Sequence, residues 1–146
     1  MDLKIKYKNG SMVVHLEEFL NCRNITKVRK LVKLIHQSVN PDDVGKIRMY
    51  IEQQLEKFEP RIKEDDLYIA GYIPKLKFSK RQLEKSICIR SRFKRNSVDW
   101  MQYSKLIKEC REEIRELKAQ IRNRESDRND CIRNKIFYEK VLETIS

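Results

Sequence analysis

Glycine and proline are scarce in this 146-residue chain, three of each, and alanine occurs twice. So few turn residues exclude a many-stranded sandwich or barrel, which needs a turn every ten residues or so. No apolar run approaches the roughly 20 residues of a membrane span, and the basic N-terminus has no apolar signal region, so a cytoplasmic protein is expected. The three glycines are too scattered for a phosphate-cradling loop or a nucleophile elbow. His15 and His36 have no flanking catalytic signature. Cys22, Cys88, Cys110 and Cys131 contain no Cys-x-x-Cys pair, so free thiols are expected, with no metal and no cofactor. Glu64-Asp65-Asp66 could hold Mg²⁺ in a nuclease, but adjacent acids are ordinarily just solvated. A non-enzymatic protein is the reading these absences leave.

What is present is large branched side chains and positive charge. Sixteen Ile and twelve Leu supply a core, while 33 Lys and Arg against 22 Asp and Glu leave +11. Leu3, Ile5 and Tyr7 alternate with lysines, then Asn9-Gly10, then Met12, Val14 and Leu16. Asn-Gly suits the centre of a two-residue type I′ turn, which pairs Tyr7 with Met12, Ile5 with Val14 and Leu3 with Leu16. One face of that hairpin is apolar and needs helices to cover it. Ile25, Val28, Leu31, Val32, Ile35 and Val39 form a helical stripe, with Lys27, Arg29, Lys30 and Lys33 opposite. Asn40-Pro41-Asp42-Asp43 starts another helix, carrying Val44, Ile47, Ile51, Leu55 and Phe58. Glu59-Pro60 is expected to end it.

The expected organisation is therefore hairpin plus helices over 1–60, an irregular or extended connector over 61–78, a basic helix over 79–96, and a heptad region over 97–146. Gly71 and Pro74 mark the connector as broken chain. Ser79 with Gln82 reads as a capping box opening the basic helix. Trp100, Tyr103, Ile107, Cys110, Ile114, Leu117 and Ile121 recur at alternating spacings of three and four, a seam. Arg124, Arg128, Cys131 and Lys135 interrupt it before Tyr138, Leu142 and Ile145 restore it. Either one helix spans 98–145, or the polar residues 123–130 turn the chain into an antiparallel helical hairpin; the polar gap favours the turn. The fold class is α+β, predominantly α. The seam at 100–121 must be buried within the chain or across a homodimer.

Charge is unevenly placed. Residues 79–96 hold seven basic side chains and one acid, and residues 1–40 hold eight and three, whereas 97–146 is nearly balanced. Lys80, Arg81, Lys85, Arg90, Arg92, Lys94 and Arg95 lie at angles that no single packing face explains. Cations so arranged suit phosphate contacts, although a solvated helix would look the same. The expected function is binding of nucleic acid or a nucleoprotein, DNA or RNA, through these seven, assisted by Lys27, Arg29, Lys30 and Lys33. The alternative is a protein–protein inhibitor or adaptor docking on a host nuclease complex, as anti-CRISPR proteins do. In composition alone, the chain is similar to many accessory proteins of phages and mobile elements.

Overall fold

The computed structural model describes residues 1–145. The strands are β1 (Asp2–Tyr7) and β2 (Gly10–His15), followed by helices α1 (Leu16–Asn21), α2 (Ile25–His36), a 3-10 turn at Pro41–Asp43, α3 (Val44–Arg90) and α4 (Val98–Ile145). The architecture is α+β and mostly α, with the two long helices packed against each other. The chain divides into two compact units, residues 1–62 with 129–146, and residues 63–128.

In the first unit the hairpin forms, but its register differs from expectation. Tyr7 pairs with Gly10, Ile5 with Met12 and Leu3 with Val14, so Lys8 and Asn9 form the loop. Gly10 alone takes the positive φ, +155°, as the first residue of β2; neither Lys8 nor Asn9 has φ above zero, so a type I′ turn is absent. The slip is by two residues, which preserves side-chain parity, and Leu3, Ile5 and Val14 still face the helices. They meet Leu16, Leu20, Val28, Leu31, Ile35, Ile47, Ile51 and Val141 in one buried cluster. The Asn24 side chain caps α2, accepting from the Thr26 and Lys27 amides at 3.0 and 3.2 Å.

The connector is not extended, and no helix begins at Ser79. α3 runs unbroken from Val44 to Arg90, through Pro60, Gly71 and Pro74. Its less exposed positions explain why: Leu55, Phe58, Ile62, Asp65, Ile69, Tyr72, Leu76, Ser79, Leu83, Ser86 and Arg90 alternate in steps of three and four. This is a second heptad seam, facing the one on α4. Both prolines stand at exposed positions opposite it, so the carbonyls they leave unbonded, at Glu56 and Ala70, lie on the solvent side. Burial of the seam outweighs the local helix penalty.

α4 is likewise one helix, with no turn at 123–130. Ile107, Cys110, Ile114 and Leu117 are buried, and Ser79 shares a pocket with Leu106 and Cys110. The buried part of the 100–121 seam therefore packs on α3 of the same chain. Ser97 caps α4, its hydroxyl accepting from the Trp100 amide at 3.2 Å. No described helix is long and apolar enough to cross a membrane.

Candidate nucleic-acid interface at the end of the helical hairpin

In the second unit, the last turns of α3, the turn 91–97 and the first turns of α4 form the closed end of an antiparallel helical hairpin. Seam residues there are partly small or polar, and the end is fastened by aromatic and cationic contacts. Phe93 stacks on Tyr103 with centroids 5.8 Å apart. The Arg90 guanidinium lies 5.2 Å from the Trp100 ring centroid and donates to the Ser104 hydroxyl at 3.2 Å. Arg90 is thus half-buried and spent on holding the hairpin closed. It leaves the set of free cations.

The other six nominated residues behave differently. Lys80, Arg81 and Lys85 are exposed on α3, and Arg92, Lys94 and Arg95 are exposed in the terminal turn region. None has a side-chain hydrogen bond or ion pair among the described residues. With the connector folded as helix, Lys75 and Lys77 join this end, and so do Lys105 and Lys108 from α4. Between residues 75 and 108 there are eleven Lys and Arg against Glu84 and Asp99. Residues 109–128 hold six of each sign, so counting the long helix as a whole hides its polarity. The signal was available in the sequence as a charge gradient along α4.

Away from that end, two cations of α4 are paired across the hairpin. Arg124 and Arg128, which looked like seam interruptions, meet the acids of α3. Arg124 Nη1 donates to Asp65 Oδ1 at 3.2 Å, with its guanidinium 3.7 Å from the Tyr68 ring centroid. Arg128 Nε donates to Asp66 Oδ1 at 2.6 Å. Glu64–Asp66 is thus the acidic half of a polar layer across the hairpin. Asp65 is only 1% exposed, and its Oδ2 is buried without a donor. Burial first, then the Asp127 carboxylate beside it, hold the Asp65 carboxyl above its ordinary value, against the pull of Arg124.

Lys27, Arg29, Lys30 and Lys33 are exposed on the outer face of α2, in the first unit, opposite buried Val28, Leu31 and Ile35. Their side chains, too, make no ion pair among the described residues. They belong to a different compact unit from residues 80–95.

Comparison with family models, curated proteins and solved structures finds no match.

Proposed function

We propose that this chain binds nucleic acid non-enzymatically through the closed end of its helical hairpin. One observation carries the reading. Between residues 75 and 108 eleven Lys and Arg stand against two acids, and every one of these cations except Arg90 is exposed and without an ion pair among the described residues, whereas residues 109–128 balance six cations with six acids. Unpaired charge gathered in one place destabilises a fold by self-repulsion and is relieved by an anionic partner. Phosphate backbone is such a partner, because each neutralised phosphate releases a counterion. Cations spread around the helices, instead of along one stripe, suit contact with backbone more than with base edges.

The test is a fluorescence-anisotropy titration of random 20-base-pair duplex DNA and of RNA with the full chain at 50, 100 and 200 mM salt. Binding that weakens steeply with salt, with little dependence on sequence, is expected. Absence of binding at 50 mM salt would overturn the proposal.

A second reading, docking on a protein, has its own observation. Leu67 (75% exposed), Gly71, Pro74 and Phe78 (61% exposed) fall at spacings of four, three and four on the outer side of α3. That apolar stripe continues into Arg81 and Lys85. A protein bound there, with no affinity for free nucleic acid, is the outcome this reading requires.

A further inference from the structure

The two edges of the hairpin are treated differently. In the observed register, Lys6 points its backbone away from β2, and its carbonyl accepts from the Val39 amide at 2.9 Å. The β1 edge is therefore partly covered, and its exposed side chains are Lys4, Lys6 and Lys8, the residues that guard sheet edges. By the same alternation Ser11, Val13 and His15 turn their amides and carbonyls outward from β2. Apart from the His15 carbonyl, which opens α1 as its N-cap, none of these groups has a backbone partner among the described residues. The edge has no lysine or proline, and Val13 is 53% exposed.

Beside this edge runs a cleft of about 520 Å³ between β2 and the helices. Met12, Phe19, Leu31 and Leu34 give it an apolar lining, with Leu34 40% exposed. Lys27 and Lys30 stand on its α2 side, and Glu18 is the acid among its lining residues. We infer that the β2 edge and this cleft accept an extended acidic segment of a partner protein as a third strand. Its backbone would bond to Ser11, Val13 and the His15 amide. Alternate apolar side chains would enter the cleft, and carboxylates would meet Lys27 and Lys30. Charge decides against a second copy as occupant: β2 itself, Gly-Ser-Met-Val-Val-His, brings no acid, and each copy carries +11. This surface belongs to the first unit and stands or falls independently of the hairpin end.

The probe is a displayed library of random dodecapeptides selected on the immobilised full chain, with enriched peptides resynthesised for anisotropy titration. Enriched sequences should alternate apolar and acidic residues, and amide exchange of Ser11, Val13 and His15 should slow when they bind. Val13→Pro removes one outward amide and no ladder bond, so binding should fall at least tenfold. Lys27→Glu with Lys30→Glu, both exposed, should weaken binding by at least tenfold with melting unchanged; this arm decides the matter if the proline variant does not fold. Enrichment of basic or non-alternating peptides, no enrichment, or undiminished binding to the charge-reversed variant overturns the inference. Sedimentation showing a dimer that Val13→Pro dissolves would also overturn it, assigning the edge to a second copy.

Discussion

Replacing Asp65 with Leu should stabilise this protein, although it breaks a salt bridge. Asp65 occupies a seam position between Ile62 and Ile69, almost wholly buried, with Oδ2 lacking a donor. An unsatisfied buried polar atom costs about 1–3 kcal/mol, and burying a leucine in its place contributes about 1.5–3 kcal/mol. Against this stands the loss of the Arg124 contact, and Arg124 keeps the Tyr68 ring and has Glu64 4.0 Å away. Removing one partner of an ion pair is costly where the other charge stays buried, but the Arg124 side chain is 33% exposed, so the gains outweigh the loss by about 1–3 kcal/mol. At about 2–4 °C per kcal/mol for a chain of this size, melting should rise by several degrees. The pH dependence supplies a second check. The folded-state carboxyl titrates above its ordinary value, so Asp65 favours folding below the ordinary carboxylate range, and that contribution is lost as pH rises through the raised value. The advantage of the leucine variant over the parent should therefore be largest at pH 7 and shrink toward pH 3.5. Calorimetric melting of both proteins at several pH values measures it. A leucine variant that melts lower than the parent, or gains equally at both pH values, would refute the reasoning.

Two further outcomes follow from the packing. Gly10→Val should destabilise the hairpin by about 1–3 kcal/mol in urea melts, because φ +155° is a conformation left to glycine and not because of a clash: no atom lies within 4 Å of the added Cβ. Ser79→Ala should raise the melting temperature by about 2–4 °C, since the Ser79 hydroxyl is buried without a partner; Ser79→Leu should lower it by overfilling the contact with Cys110.

The hairpin and the α4 seam were legible because both are written in local periodicity. The strand register was not, since Gly10 could serve either as a turn residue or as the first residue of β2, and parity is the same in both cases. Helix continuity was illegible for a non-local reason. Arg124 and Arg128 read as a gap in α4, and Asp65 and Asp66 as a solvated cluster, until the two sets are placed opposite each other some 60 residues apart. Likewise Pro60, Gly71 and Pro74 are strong local breakers, and only packing against a partner seam overrides them. Of the cations that the sequence singles out, Arg90 has a structural partner in Trp100, whereas Lys75, Lys77, Lys105 and Lys108 join them only once the connector is helix and the charge of α4 is resolved along its length.

The central claim is that the exposed, unpaired cations at the hairpin end contact phosphate. Its most direct test is the anisotropy titration repeated with Arg81, Lys85, Arg92 and Arg95 all changed to Ala, with melting curves as control. All four are exposed and unpaired, so melting should be nearly unchanged. Affinity should fall for every nucleic-acid sequence tried, and the salt slope should flatten by about one unit per phosphate contact removed. A variant that melts like the parent and binds with the parent's affinity and salt slope would contradict the claim.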